Sequence, residues 1–477
     1  METSASHNVV LICLDTVRKD FFDEIARVVP GMASLSYDQC RAASSWSVAS
    51  HASMFTGQLP HEHGVHTYNT DFGTLTVEDV WLTDFDHHTT MNVSANAWLT
   101  RSFGVDTFFD EQIDVTVQQW FANGLSLKEF SSQTGKEGWQ KYTAFLKRSL
   151  QHDCPLQSLG NGAFGRLLYR LRTLPVPTPI DDGANRVIAE SLDLIEETTE
   201  PFFLFQNFMD AHGPAHHVLG YNRSLTDVPL SWSSQDFDFW DLTLERGENR
   251  ENYREGIKNY RQLYRASIDY VDRKIGSFIS TVQAKTDHET TFVITADHGE
   301  NLAYPADDGL FNHVSSLSEG VLHVPLYIVN PPDGIRGRVD EYVSHLQLGA
   351  LIKGLAHGEI PEIGEKRIAA EVIGGNPRIR DLARERGELE YWDRLQRCTY
   401  EGNNKYLWDS LGDERLIEID PNRPCWQRER TTCEPVPEWV RGLFEIDIGT
   451  YDRLADDGSD HEFDEAVQSR LSDLGYV

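Results

Sequence analysis

The sequence predicts an α/β protein with a mostly parallel central sheet, followed by a smaller α+β region with a short antiparallel sheet. Three observations predict this. Continuous apolar runs at 8–15, 201–212 and 290–300 end in aspartate or histidine. Amphipathic helical patterns lie between them. Beyond about residue 362 the pattern changes to short, closely spaced strand-like runs. Strands alternating with helices form parallel sheets, and closely spaced strands form antiparallel ones. Residues 1–361 are therefore expected to form an α/β domain, and 362–477 a C-terminal subdomain.

"NVVLICLD" (8–15) reads as a strand buried on both faces, because its apolar run does not alternate. "SSWSVASHASMFTG" (44–57) follows as a helix starting near Ser47 and stopped by Gly57 and Pro60. Met54 and Phe55 supply its apolar face. "TTMNVSAN" (89–96) is a weaker strand. Residues 112–180 read as an insertion of mixed helix and loop, with "LPVPTP" (174–179) as a linker. A helix over 184–199 precedes the strand in "PFFLFQNFMDAH" (201–212). Residues 222–252 are an acidic, Trp-rich insertion, in which Trp232 and Trp240 either stack on a sugar or pack as a lid. Tyr260, Leu263, Tyr264, Ile268, Val271, Ile275 and Phe278 recur at helical spacing over 258–282. "TTFVITADHGE" (290–300) and "HVPLYIVN" (323–330) complete the sheet. "KRIAAEVI", "RCTYEGNNKYLWD" and "ERLIEID" form the antiparallel strands, and a terminal helix is expected over 462–474.

The 477 residues carry a net charge of −32, with 11 lysines and 32 arginines. Such a balance repels nucleic acid and anionic membranes, so neither is an expected partner. An acidic, lysine-poor chain suits a salt-rich cytoplasm, where screening removes self-repulsion. A halophilic source and a cytoplasmic location are expected, with an ordinary acidic enzyme as the alternative. No CxxC pair occurs among the six cysteines, so a zinc knuckle or redox dithiol is not expected. Cys425 and Cys433 are near enough in sequence to bridge. "METSASHNVVLICLD" lacks the basic start and long apolar run of a signal peptide, and no run approaches 18 apolar residues.

Ligands of open α/β sheets bind beyond the carboxyl ends of the strands. Asp15, Asp210, His212, Asp297 and His298 all fall at such ends. Asp15, Asp297 and His298 are of the types that hold a divalent cation, and the imidazole favours manganese, zinc or iron over all-oxygen calcium. Ser47 and His51 lie one turn apart on a single helix face. A helix N-terminus favours an anion, so Ser47 is a candidate nucleophile toward a sulfate or phosphate group. A protonated His51 would hold a second oxygen of that group. The plainer alternatives are an N-cap role for Ser47 and Asp15 and a loop role for His298.

These segments together resemble the sulfatase family, within the alkaline-phosphatase-like superfamily. "VVLICLDTVRKD" resembles its first metal strand, and "SVASHASMFTGQLPHEHGV" its C/S-x-P-S-R-x-x-x-x-T-G signature with the following P-x-x-H-G-V. "SANAWLTRSFGVDTFFD" resembles the second signature, "PFFLFQNFMDAHGP" the strand whose histidine meets the ester, and "ITADHGENL" the second metal strand. "LHVPLYIVN" resembles the strand after it, and the final "RLSDLGYV" resembles chain ends of archaeal members. The resemblance implies an alkaline-phosphatase-like sandwich with a divalent metal (Ca2+, Mn2+ or Zn2+) at Asp15, Asp297 and His298. It places Ser47 at the nucleophile position, which many members oxidise to formylglycine. It places His51 at the adjacent arginine, His212 beside the ester oxygens, and His313 where a residue protonates the leaving group.

The chain departs from the family at several of these places. Thr16 stands for a second metal aspartate, Ala49 for the signature proline and His51 for its arginine. Ala95 or Asn96 falls where a lysine is expected. Asp-His replaces the Asp-Asn of typical arylsulfatases at 297–298, which is closer to phosphonate and phosphodiester hydrolases. The expected activity is hydrolysis of a small-molecule or glycan sulfate ester through Ser47, as formylglycine or plain serine. The alternatives are a phosphodiesterase, phosphatase or phosphonate hydrolase, a phospho-alcohol transferase for surface glycans, and a non-catalytic homologue. Nothing in the sequence sets an oligomeric state.

Overall fold

The computed structural model describes residues 7–455 except 86, 117–120, 122–123, 126–129, 131–137, 173–175, 199–200, 246–249, 314 and 431–435. The terminal helix expected over 462–474, the chain end 470–477 and Cys433 lie outside the described residues, and so does the start of the 174–179 linker.

The main sheet has eight strands: β1 (Asn8–Leu14), β2 (Ala33–Arg41), β3 (Thr89–Ser94), β4 (Glu111–Asp114), β5 (Phe202–Phe208), β6 (Thr290–Thr295), β7 (Leu326–Val329) and β8 (Gly337–Ser344). Their order is β4-β3-β5-β1-β6-β7-β2-β8. All pairings are parallel except those of β7, which runs against both β6 and β2. Every residue of β1, β5 and β6 is buried, as their unbroken apolar runs require. Registers Cys13↔Asn207 and Cys13↔Thr295 bring the carboxyl ends of these three strands level. Asp15 and Asp297, each two residues further on, therefore emerge side by side.

The sequence reading missed β2, β4 and β8. β2 is "ASLSYDQCR", and β8 is "GRVDEYVS". Their polar residues hide the apolar periodicity, and pairing decides the strand instead. β4 straddles the start of the region read as helix and loop.

Four helices matter for the site: α1 (Ser47–Thr56), α2 (Ala184–Glu197), α3 (Arg254–Lys285) and α4 (Leu348–Ala356). α3 buries all seven residues of the expected stripe. Gly57 ends α1 in the left-handed region at φ 73°, and its N–H bonds the Ser53 carbonyl. Among the described residues, no helix is long and apolar enough to cross a membrane.

A second, antiparallel sheet has the order β13 (Gln427–Glu429), β12 (Glu414–Ile419), β11 (Asn404–Asp409), β10 (Gln396–Glu401) and β9 (Arg367–Val372). It contains the three runs expected beyond residue 362. In the 222–252 region, Trp232 packs on the main core and Trp240 on a cluster around Trp392, which is the packing alternative.

A buried ionic cluster joins the two sheets. Glu319 pairs with Arg41 of β2 at 2.9 Å and with Lys405 of β11 at 3.0 Å, and accepts the Tyr400 hydroxyl at 2.6 Å. Burial alone would raise the Glu319 pKa, but Arg41 and then Lys405 overcome it and hold the carboxyl down to about 2. A depressed carboxyl contributes stability that is complete above its ordinary value of 4.5 and is lost as pH falls toward about 2. Glu319→Gln is expected to cost about 3–5 kcal/mol at neutral pH, because two cations stay buried without their anion. Urea midpoints measured against pH check this: the gap between wild type and variant should narrow below pH 4.5.

Candidate active site

Trp46 enters α1 in extended geometry, so Ser47 is the first helical residue, and α1 is buried from Ser47 to Phe55. Ser50 N is the first amide to bond back along the helix, to the Trp46 carbonyl, so the preceding amides of the first turn have no intrahelical partner. Ser47 Oγ lies 3.3 Å from Asp15 Oδ2 and 3.3 Å from His298 Nε2.

Asp15, Asp297 and His298 are buried, with one ligand atom of each lying within 4.8 Å of the others. Asp15 Oδ1 and Asp297 Oδ2 have no hydrogen-bond partner. His298 Nδ1 meets the Gly299 carbonyl at 2.9 Å, which fixes the proton there and leaves the Nε2 lone pair facing Asp297 Oδ2, 3.4 Å away. Two buried carboxylates this close cannot both stay charged without a cation. Burial and then repulsion from Asp297 push Asp15 well up. The orphaned oxygens, the free imidazole nitrogen and the mixed donor set all fit a divalent cation. Among the described residues, no arginine or lysine pairs with Ser47, Asp15, Asp297 or His298.

Thr16 does not offer its hydroxyl to this cluster. Its Oγ1 donates to the Asp15 carbonyl at 2.7 Å and its N–H donates to Asp297 Oδ1 at 3.2 Å. It sits at φ 62°, a left-handed conformation that costs a β-branched residue about 1–3 kcal/mol. That strain turns the chain so that its amide steadies a cluster carboxylate.

Three further histidines behave differently. The His313 ring lies 4.5 Å from that of His298 and 5.8 Å from that of His212. Burial lowers both His212 and His313 to about 4. His51 is not placed to hold an anion oxygen, as the sequence reading expected. Its Nδ1 meets the Ser47 carbonyl at 2.6 Å, and its Nε2 meets Asn207 Nδ2 at 3.2 Å. The ring is fully buried, edge-on to Phe205, and burial lowers its pKa. It is a neutral brace beneath α1, because the helix turns that face onto β1 and β5.

Asp210 also leaves the group. Burial and then Asp181 and Asp182 raise its pKa, which places it beside the start of α2. Two residues to which the sequence reading gave no role belong to the site. Asn96, one of the two residues read at the family's lysine position, donates to Asp15 Oδ2 at 2.7 Å. Glu300 Oε2 lies 3.4 Å from His313 Nδ1, and burial raises its carboxyl to about 8. With Glu300 protonated and His313 neutral, the carboxyl donates to Nδ1. Its signal was its place in "ADHGE", directly after a site strand.

The family model described as Sulfatase matches residues 7–358. Uncharacterized sulfatase YidJ of Escherichia coli (strain K12) is 26% identical over 203 residues, covering 39% of this chain and 39% of that relative. The match thus spans well under half of the relative's length. Phosphonate monoester hydrolases of Agrobacterium radiobacter and Silicibacter pomeroyi, each 15% identical, superpose with TM-scores of 0.60 and 0.57 over 86% of this chain and 89% of theirs. A protein solved with its substrate D-glucosamine-2-N,6-O-disulfate, 13% identical, gives 0.52 over 87% of this chain and 91% of its own. At these identities the likeness is one of fold.

Proposed function

The chain belongs to the sulfatase family, a group of hydrolases in the alkaline phosphatase superfamily, and from that premise we propose that it hydrolyses monoanionic tetrahedral esters, sulfate esters first, with Ser47 as nucleophile. The observation that carries this is the position of Ser47 Oγ at the amino end of α1, 3.3 Å from both Asp15 and His298. Asp15, Asp297 and His298 would hold a divalent cation, which lowers the pKa of a nearby hydroxyl and offsets charge developing on the ester. The amides of the first turn of α1 face the same anion. Asp15 Oδ2 orients the Ser47 hydroxyl and is itself steadied by Asn96. As Glu300 passes its proton to His313 Nδ1, His313 gives its Nε2 proton to the leaving oxygen, and His212 hydrogen-bonds an ester oxygen.

Charge separates the ester classes. Two carboxylates and a divalent cation sum to zero, and no lysine or arginine among the described residues pairs with the cluster. A group bearing one negative charge fits better than a dianionic phosphate monoester. Sulfate monoesters, phosphonate monoesters and phosphodiesters are all monoanions. The imidazole at His298, in place of an asparagine amide, favours the last two as the second reading. The acidic, lysine-poor composition supports a salt-rich cytoplasm as the setting.

The state of Ser47 decides between the first and second readings. Formylglycine releases sulfate by collapse of its hydrate, whereas a serine sulfate ester turns over slowly. Peptide mass after purification tests this: oxidation of Ser47 removes about two hydrogens. With formylglycine present, sulfate esters should be the best substrates. Plain serine with turnover of phosphonate esters or phosphodiesters only would replace the sulfatase reading with the second.

A further inference from the structure

The loop that carries Glu300 and His313 is held in a strained shape. It leaves the end of β6 through His298, runs out to 303–309 and returns with His313. Its two arms bond each other: the Ala303 amide donates to the Leu310 carbonyl at 2.8 Å, and the Asn312 amide to the Asn301 carbonyl at 3.0 Å. The return sets His313 Nδ1 3.4 Å from Glu300 Oε2. Among the described residues, four other than glycine between 303 and 315 sit in the left-handed region. They are Ala303, Asp308, Asn312 and Ser315, at φ 59°, 53°, 71° and 51°. Aspartate and asparagine tolerate this conformation, but alanine and serine are strained in it. Such strain persists only where the surrounding structure enforces it.

Arg18, three residues past Asp15, supplies that constraint. Its backbone is fixed first: its amide donates to the Tyr264 hydroxyl of α3 at 2.9 Å, and that hydroxyl donates to the Thr16 carbonyl at 2.6 Å. The side chain is buried, and each edge of the guanidinium has its own task. Nε and Nη2 donate to the two oxygens of Asp20 at 2.9 and 2.8 Å. Nη1 donates to the Glu300 carbonyl at 2.9 Å and to both oxygens of Asp307 at 3.0 Å. Asp307 is fully buried and accepts the Leu302 and Tyr304 amides at 2.8 and 3.2 Å, so it gathers the outer turn of the loop onto Arg18. The fit is close: a Cβ at Gly320 would lie 2.5 Å from Asp307 Oδ1 and 2.7 Å from Arg18 Nη1. A lysine ammonium lacks the planar fork that holds Asp20, Glu300 and Asp307 at once.

We propose that Arg18 is a positioning residue for the Glu300–His313 proton relay: it fixes the Glu300 backbone and pins the loop turn at Asp307, so that His313 returns onto the Glu300 carboxyl beside His298. This rests on the reading of the Ser47 centre as an ester hydrolase. Among the described residues, no hydrogen bond joins the Arg18 side chain to Ser47, Asp15, Asp297 or His298, so its effect on turnover runs through the relay. A displaced acid costs most where the leaving oxygen needs its proton. Phenoxide needs it, whereas 4-nitrophenoxide is stable enough to depart without it. The relation between rate and leaving group therefore reports on Arg18, and partial unfolding would not mimic it, because unfolding lowers turnover of every substrate alike.

The test compares phenyl and 4-nitrophenyl esters of sulfuric and phenylphosphonic acid, turned over by full-length wild type, Arg18→Lys and Asp307→Asn. On the acid that wild type hydrolyses, Arg18→Lys should lower kcat about 10^2-fold for the phenyl ester, the cost of a misplaced catalytic group, and less than about threefold for the 4-nitrophenyl ester. KM should stay within about threefold on both. Asp307→Asn keeps part of the contact to Arg18 and should show the same selective loss at about tenfold, which decides the matter if Arg18→Lys does not fold. Hydrogen exchange without substrate gives a reading that needs no turnover: amides in 299–313 should exchange about tenfold faster in the variants, with those of β1 unchanged. The proposal is overturned by equal losses on the two esters, by a loss that falls on KM, by wild-type rates in both variants, or by unchanged exchange in 299–313. Faster exchange confined to that loop, with no ester turned over by wild type, would sustain Arg18 as its anchor and count against the hydrolase reading alone.

Discussion

Ser47→Ala is expected to lower kcat/KM on a sulfate or phosphonate ester by about 10^3–10^4-fold, or roughly 4–5.5 kcal/mol of transition-state stabilisation. The loss should fall on kcat, because the hydroxyl forms its new bond only during reaction. The fold should survive. Ser47 is fully buried, but only one oxygen is removed, and Asp15 Oδ2 keeps its bond from Asn96 at 2.7 Å. Loss of a single buried hydrogen bond costs about 0.5–1.5 kcal/mol. Steady-state kinetics beside a thermal melt separates the two effects. Near wild-type activity in the alanine variant would remove Ser47 from the chemistry.

Asp297→Asn has the second largest expected effect. Asp297 Oδ1 accepts the amides of Thr16 and His298 at 3.2 and 2.8 Å, which an asparagine oxygen can still do. The substitution therefore removes charge from the cluster with little change of shape. Divalent metal measured on the gel-filtered protein should drop from about one per chain to a small fraction, and activity should fall about 10^3-fold. A chelator should bring wild type to a similar level, and excess Mn2+ or Zn2+ should restore wild type far better than the variant. A variant that keeps both metal and activity would break the assignment of Asp15, Asp297 and His298 as a cation site.

Much of this site was legible in the sequence because its residues follow strands that announce themselves. β1, β5 and β6 are buried on both faces, so their apolar runs are unbroken, and the next polar residue marks a carboxyl end. Asp15, Asp297, His298 and His212 were found that way. What one strand's pattern does not hold is direction after the strand ends. Asp210 and His212 share one strand end, yet Asp210 sides with Asp181 and Asp182 at α2. His51 shows the same limit on a helix. Its spacing from Ser47 was read correctly, but α1 packs the face carrying His51 onto Phe205 and Asn207. Glu300 and Asn96 went unassigned because their roles come from contacts to His313 and Asp15, which no local pattern contains. The polar strands β2 and β8 were missed for a related reason, since their neighbours in the sheet make them strands.

The central claim is that Ser47 carries the covalent step. The most direct measurement is mass spectrometry of the peptide containing Ser47 after an acid quench during steady turnover. The account predicts a sulfuryl or phosphonyl adduct on residue 47, absent in Ser47→Ala and absent when substrate is withheld. Continued turnover with residue 47 free of adduct at every quench time, together with an active Ser47→Ala variant, would contradict it.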